Sequence, residues 1–403
     1  MLNMANEQPL DASKLSCTYT TSPREVPSEA TLRKGGQTIC TDHMITASWT
    51  AGAGWSAPEL KPFGPLSLLP SASCLHYAYE CFEGLKAYRG DDGKLRMFRT
   101  DRNSRRFLMS AGRISLPQFE PDELEKLIHK LVSVDGSKWL PKECAGNFLY
   151  VRPTMIGTDS QLGVTAPQEA LLYIILGFTP RVDTPLGGKR LLTSPNDMVR
   201  SWVGGFGFAK VGANYGPSVL ANQEAIRQGY HQILWLYGPE GFCTEAGGSN
   251  FFVLWKRKED GERELITAPL DDQLILDGVT RRSCIELVRE RLDLKVTERR
   301  FTIDDLQEAA AENRLIESFA TGTAVSVDLP GKKKKIMSQT DQVKWFITPI
   351  SQIHHRGQDI NIPTGPGGGP AEITGKIKAW LGDMMYGRAQ HGWIRVIPEE
   401  SLK

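Results

Sequence analysis

No stretch of this 403-residue chain stays apolar long enough to cross a bilayer, which excludes a helical membrane anchor. Neither charge is in excess. Lysine and arginine number 48 against 47 aspartate and glutamate, a formal net charge of +1, so the chain builds no field for nucleic acid or an anionic membrane. Cysteine is scarce: seven, at 17, 40, 74, 81, 144, 243 and 284, with no Cys-x-x-Cys pair. An odd, dispersed set in a chain of this size reads as reduced thiols in a cytosol-like compartment. No group of histidine, cysteine and carboxylate has metal-ligand spacing, so no metal is expected. The Gly-x-x-x-x-Gly-Lys-Ser/Thr pattern of nucleotide phosphate loops is missing too. Internal repeats are absent. The stretch Met1 to Lys14 carries Glu7 and Asp11, has no apolar centre and lacks the arginines of a transit peptide. The expected address is cytoplasmic, with a mitochondrial form left open.

What is present is a soluble composition, 40% hydrophobic and 24% charged, in a chain too long for one core. Two domains are expected. Residues 1–34 are polar and rich in Pro, Ser and Thr, an arm laid over the surface. Residues 35–179 make a smaller domain. Thr179 to Gly188 contains two prolines and two glycines, so 180–190 is the linker and 191–403 the larger domain. Short strands and turns are expected from Thr41 to Arg99, with a hairpin around Gly90-Asp91-Asp92-Gly93. Thr100 or Asp101 caps a helix through Ser110. Asn147 to Met155 and Ala170 to Leu176 read as buried strands, and Pro217 to Arg227 as a helix. Ile233 to Tyr237 and Asn250 to Trp255 read as strands joined across Gly238 to Gly241. Thr280 to Leu292 is an amphipathic helix, and Thr302 with Asp305 opens another through a capping box. Lys332 to Lys335 is a solvated loop, and Gly365 to Pro370 a flexible one.

The chemistry concentrates in four places. Lys210 sits among Gly, Ala, Val and Phe, residues that cannot solvate an ammonium. A lysine in such a setting sheds its proton readily and becomes an amine nucleophile. Glu245 ends a strand-turn unit, Phe242 to Gly248; its carboxylate either meets a protonated ring nitrogen or faces water. Gly278-Val279-Thr280 opens a helix, where free amides and a hydroxyl suit an anion, and Thr321-Gly322-Thr323-Ala324 is a second small-residue turn with hydroxyls. An amine, a carboxylate and two phosphate-cradling turns, in this order, are the parts that hold pyridoxal phosphate (PLP). Arg152 lies on a buried strand in Tyr150-Val151-Arg152-Pro153 and needs an anion, either a bound carboxylate or an internal salt bridge. His76 and Tyr77 read equally as packing residues. Arg106 is one of five arginines between 99 and 113, and spacing alone does not single it out.

Several blocks together carry a resemblance. They include Thr41-Asp42-His43-Met44, Leu75-His76-Tyr77-Ala78, Cys81-Phe82-Glu83-Gly84-Leu85-Lys86-Ala87, Tyr150-Val151-Arg152-Pro153 and Leu162-Gly163-Val164. They continue through Gly212-Ala213-Asn214-Tyr215-Gly216, Thr244-Glu245, Gly278-Val279-Thr280-Arg281, Gly322-Thr323-Ala324 and Tyr386-Gly387-Arg388. By these the chain resembles the branched-chain amino acid aminotransferases, fold type IV PLP enzymes, in their eukaryotic-type form. The resemblance runs from Thr41 to Trp393. It implies an α/β (α+β) fold, with a smaller α/β domain and a larger pseudo-barrel domain. It makes Lys210 the Schiff-base lysine and Glu245 the partner of the pyridine nitrogen. Arg106, Val279, Thr280 and Thr323 would bind phosphate and Tyr215 the ring hydroxyl, with Arg200 and Leu276 lining the cofactor. Tyr77, Phe82, Tyr150, Arg152, Leu162, Val164 and Ala324 would line the substrate pocket. Tyr77, Leu162 and Val164 come from a partner subunit in this family, which implies a homodimer.

The chain departs from many relatives at Gly36, Val182 and Gly248, where they carry phenylalanine, tyrosine and threonine. A pocket short of two rings is expected to admit bulkier apolar donors. Val325 and Asp328 stand where mammalian members carry a redox Cys-x-x-Cys. The reaction expected is transamination between a branched-chain or similar hydrophobic L-amino acid and 2-oxoglutarate. The alternatives are a D-amino acid transaminase or aminodeoxychorismate lyase of the same fold, and a catalytically dead PLP-binding scaffold. Tyr150-x-Arg152 and the Phe82-Glu83-Gly84 block argue against the first two, and Lys210 with Glu245 against the third.

Overall fold

The computed structural model describes residues 7–28, 38–143, 147–179, 187–323 and 346–400. The chain forms two compact units, one of residues 1–181, 209–213 and 383–403, the other of 182–208 and 214–382.

The first unit is built on a sheet. Its strands follow the order Ser16–Cys17, Glu59–Pro62, Ile39–Thr50, Glu169–Thr179, Phe148–Gly157, Leu85–Arg89, Leu95–Phe98 and Ile394–Ile397. Glu80–Phe82 pairs onto Phe148–Gly157 from the side. Alternation along these strands separates two faces. Leu149 and Val151 lie opposite Phe178 and Leu176, and all four are buried. Across the next ladder they meet Ala87 and Leu85, also buried. This is the face that receives a helix, since Trp139 packs edge-on against Phe178 with ring centroids 5.8 Å apart. The other face carries Tyr150, Arg152, Tyr173 and Ile175, all half-buried.

That helix, Pro121–Trp139, is not anticipated in the sequence reading, although its signals are local. Pro121 stands in the first turn with Asp122 and Glu123, and Leu124, Leu127, Ile128 and Leu131 recur at helical spacing and are wholly buried. Gly136 allows the close approach to the sheet: a Cβ there would lie 2.4 Å from Leu95 Cδ1.

Four other expectations need correcting. Ile39–Thr50 is a single twelve-residue strand, held by the long ladder to Glu169–Thr179, not a run of short ones. The helix Thr100–Arg113 has no side-chain cap. Arg99 precedes it in the left-handed region at φ 48°, and the Thr100 hydroxyl donates instead to Glu125 at 2.6 Å. The strands around residues 233 and 250 are not direct neighbours, because Phe242–Ala246 forms its own strand between them. The C-terminal part of 191–403 does not stay with the second unit. Ile394–Ile397 pairs with Leu95–Phe98, and Glu399 closes on the buried Arg89 guanidinium at 2.7 Å. The linker core at 181–186, with Val182, lies outside the described residues, as do Gly36, Ala324, Val325, Asp328 and Lys332 to Lys335.

In the second unit the strands Phe242–Ala246, Gln232–Tyr237, Lys189–Thr193, Ile347–His355, Leu315–Thr321 and Ser249–Lys256 pair in turn, and the last pairs back onto the first. The sheet thus closes into a barrel-like ring. Leu191, Leu234, Phe251, Val253, Ile350 and Ile353 belong to one buried cluster. Thr302 and Asp305 form the expected capping box for Ile303–Ala311.

Candidate active site

In the first unit, residues 209–213 run beside Glu80–Phe82. Val211 bridges to Cys81, and the Phe82 amide donates to the Lys210 carbonyl at 3.0 Å. The Lys210 amide donates to the Ser110 hydroxyl at 2.9 Å. Ala209 and Val211 are buried, so the backbone is gripped on both sides while Lys210 itself is only half-buried. Its Nζ stands 4.8 Å from the centroid of the Phe82 ring.

The same ring has a second cation. Arg152 Cζ lies 4.6 Å from the Phe82 centroid and 5.1 Å from that of Tyr150, and an Arg152 amino group donates to the Tyr150 hydroxyl at 3.3 Å. Among the described residues Arg152 has no carboxylate partner, and its buried Nε has no hydrogen-bond partner at all. The internal salt bridge weighed from sequence is therefore not made by any described residue. Tyr77 donates its hydroxyl to the Leu162 carbonyl. Leu162 and Val164 are 68% and 75% exposed, apolar side chains left in solvent.

Glu83, to which the sequence reading gives no role, is the buried hub here. Arg106 grips it with two bonds of 2.6 and 2.8 Å, and Asn103 adds one of 2.7 Å. Burial pushes the Glu83 carboxyl up. Arg106 outweighs that, helped by Lys210 and Asn103, and holds it below the ordinary glutamate range. Arg106 thus has a carboxylate partner that spacing gave no hint of.

In the second unit Glu245 is 2% exposed, and three donors fix it: Arg200 Nε at 2.7 Å, the Leu276 amide at 2.9 Å and Asn250 Nδ2 at 3.1 Å. A carboxylate offers about four acceptor sites, so one remains for a further donor such as a protonated ring nitrogen. Ladder register puts Asn250 directly opposite both Glu245 and Thr321, so the three form one rung across three strands. Among the described residues the buried Thr321 hydroxyl has no partner. Nearby, Gly278 precedes the helix Val279–Arg291, whose first turn holds no acidic residue. A Cβ on Gly278 would lie 2.0 Å from Asn250 Oδ1, so only glycine lets the helix start there. Val279 and Thr280 are buried in that first turn. Thr323 ends the described stretch after Thr321, and Tyr215 lies in the turn before Ser218–Arg227. A helix N-terminus free of acids, an unpartnered hydroxyl and a carboxylate with one open acceptor site fit a phosphorylated pyridine.

Asn250 is the functional candidate that sequence reasoning missed here, whereas Thr321 was already part of the expected hydroxyl-bearing turn. Asn250 had a signal: Gly247-Gly248 makes a two-residue turn, which sets Glu245 opposite Asn250.

A family model described as amino-transferase class IV matches residues 80–327, and the chain belongs to that family. Within it, the full-length similarities are to branched-chain-amino-acid aminotransferases. The cytosolic form of Saccharomyces cerevisiae is 42% identical over 396 residues, 97% of this chain and 98% of that protein. The mitochondrial form of the same yeast is 42% identical over 402 residues, 98% and 95% of the two chains. Among solved structures, the T.th. branched-chain amino acid aminotransferase with pyridoxamine 5′-phosphate matches with a TM-score of 0.62 and 26% identity, covering 87% of this chain and 98% of that one. The chain is an aminotransferase with the fold type IV architecture, and enzymes of this class depend on PLP. No helix among the described residues is long and apolar enough to cross a membrane.

Proposed function

We propose that this chain transfers the α-amino group between a branched-chain or similar hydrophobic L-amino acid and 2-oxoglutarate, with PLP as cofactor, as a cytoplasmic homodimer. The observation that carries the reading is the Phe82 ring with the Lys210 amine 4.8 Å and the Arg152 guanidinium 4.6 Å from its centroid. It supplies an amine for the reacting carbon. It also supplies a cation, without a carboxylate of its own among the described residues, for the far end of an acidic substrate. Bound PLP would supply an electron sink for the bond broken at the α-carbon.

The roles then follow from the residues. The Lys210 amine would hold the cofactor and, once freed, would take the proton from the α-carbon of the amino donor and, in the second half-reaction, deliver one to the α-carbon of the acceptor. Glu245, held by Arg200, Asn250 and the Leu276 amide, keeps the ring nitrogen protonated. The first-turn amides at Val279 and Thr280, with the hydroxyls of Thr321 and Thr323, receive the phosphate. Arg106 reaches the phosphate only while shared with, or released from, Glu83. Tyr215 serves the ring hydroxyl. Phe82 and Tyr150 give an apolar wall for leucine-like side chains, to which Ala324 contributes. Tyr77, Leu162 and Val164 complete the pocket of the neighbouring subunit, which accounts for apolar side chains lying exposed in a single chain.

The test is Lys210→Ala. The variant is expected to retain PLP through the phosphate turns but to lose the absorbance change on adding leucine, with turnover down by many orders of magnitude. Near-wild-type transamination by this variant would remove the lysine from the mechanism.

A further inference from the structure

Ser110 is given no role in the chemistry above, yet its hydroxyl sits where two site residues meet. It is wholly buried on the helix Thr100–Arg113. It donates to the Arg106 carbonyl one turn back at 2.8 Å, an ordinary bond for a helical serine. The second bond is not ordinary. The same oxygen accepts the Lys210 amide at 2.9 Å, from one hundred positions along the chain. On the other side of that residue the Lys210 carbonyl accepts the Phe82 amide at 3.0 Å. Phe82 is joined to Glu83, and the Arg106 guanidinium holds the Glu83 carboxylate at 2.6 and 2.8 Å. Arg106 leads back through its own carbonyl to Ser110. The bonds therefore close a ring, from Lys210 through Ser110, Arg106, Glu83 and Phe82 back to Lys210. Asn103, Arg106 and Ser110 share one face of the helix, and Asn103 braces the ring with its 2.7 Å bond to Glu83.

We propose that Ser110 is a positioning residue for the reacting amine: it ties the Lys210 backbone to the helix that carries Arg106, and so fixes the point from which the lysine side chain reaches over the Phe82 ring. The proposal rests on the reading of Lys210 as the amine of the reaction. The Ser110 hydrogen is committed to the Arg106 carbonyl, so the residue acts through Lys210 and not as an acid or base. A lysine stem is long and flexible, and its amine is aimed no better than its backbone is held. Residues 209–213 belong to the first unit while the chain on both sides of them belongs to the second. Hydrogen bonds from elements distant in sequence must therefore keep this short segment in place. The grip on Lys210 is two-sided, amide on Ser110 and carbonyl on Phe82, and it prevents sliding along Glu80–Phe82. A reacting group misplaced by about 1 Å costs on the order of 10²-fold in rate. That loss falls on the proton-transfer step and little on substrate binding.

The test uses Ser110→Ala. Alanine is the best helix former, so the helix keeps its strength and only the hydroxyl is removed. With leucine and 2-oxoglutarate, the holoenzyme of this variant should lose about 10–100-fold in kcat while KM for leucine stays within about twofold. Leucine deuterated at the α-carbon should lag ordinary leucine by more than it does in the wild type, because proton transfer has become the slower step. A further readout needs no turnover. In the apoenzyme, hydrogen exchange at the Lys210 amide should quicken about tenfold or more, since its acceptor on Ser110 is gone. Ser110→Thr keeps an oxygen able to bond the same carbonyl and should restore all of these. Leu131→Ala, a buried truncation on Pro121–Trp139, should lower stability yet leave the isotope effect and the Lys210 exchange at wild-type values. Wild-type kcat with wild-type exchange in Ser110→Ala overturns the proposal. So does a loss confined to KM, or one that Leu131→Ala reproduces in full. Lys210→Ala reads the parent assignment by itself: near-wild-type turnover there fails the lysine, whereas its collapse beside an unaltered Ser110→Ala enzyme fails Ser110 alone.

Discussion

Arg152 is where one pocket must meet two kinds of side chain. Its guanidinium leans on two aromatic rings and donates to one hydroxyl, while its buried Nε goes unpartnered among the described residues. A buried donor without an acceptor is unfavourable, and a substrate carboxylate would relieve it. A hydrogen bond to a charged group contributes about 1.5–3 kcal/mol, so Arg152→Met should raise KM for 2-oxoglutarate roughly 10–100-fold and change that for leucine little. Steady-state kinetics with both substrates decides it. Equal losses would mean that the arginine supports the sheet and not the substrate. Sequence brought out this residue because a cation on an apolar strand is conspicuous. It did not bring out Glu83, because nothing local says that a glutamate at the start of a hairpin will be wholly buried under an arginine twenty-three positions on.

Among the elements, the helix Pro121–Trp139 matters most to the first unit. It covers the face opposite Tyr150 and Arg152, burying the other side of the strand on which those two stand. Leu131 is wholly buried in it. Leu131→Ala should cost about 2–5 kcal/mol of stability, read from denaturant unfolding of the holoenzyme, through lost burial and the cavity left behind. A change under about half a kcal/mol would show the helix to be loosely seated. The helix was legible in principle, from Pro121, two acids and a run of leucines at helical spacing. The capping box at Thr302 was legible and forms, because both partners lie within one turn. The cap at Thr100 had the same local promise and fails. Glu125, on another helix, offers its hydroxyl a better acceptor than the local amides do.

At the scale of the whole molecule, the proposed homodimer predicts an apolar surface on each chain. Leu69, Leu75, Leu162 and Val164 are 61%, 58%, 68% and 75% exposed. Their two segments are tied together, since the Gln161 amide donates to the Ser71 carbonyl and Ser71 and Ser160 share a hydroxyl contact of 2.6 Å. An apolar patch of this kind on a folded surface marks an interface. Light scattering should give a dimer for the wild-type chain. Leu162→Glu with Val164→Glu should shift it towards monomer and lower turnover together, because the same loop serves both. A monomeric wild-type enzyme with full activity would end this reading.

The division between what sequence decided and what tertiary structure decided follows the range of the interactions. Period-two alternation determined that Leu149 and Val151 turn one way and Tyr150 and Arg152 the other, since a strand has only two faces. A two-residue turn at Gly247-Gly248 determined that Glu245 meets Asn250. Glycine and alanine around Lys210 marked the amine from the residue types alone. Only the folded chain decided that Thr321 joins the Glu245 rung from seventy-six residues away, that Arg106 grips Glu83, and that Ser110 receives the Lys210 amide. It also decided that the C-terminal strand returns to the first unit. Each of these depends on strand register and burial, which many distant residues set together, and no local pattern of side chains specifies either.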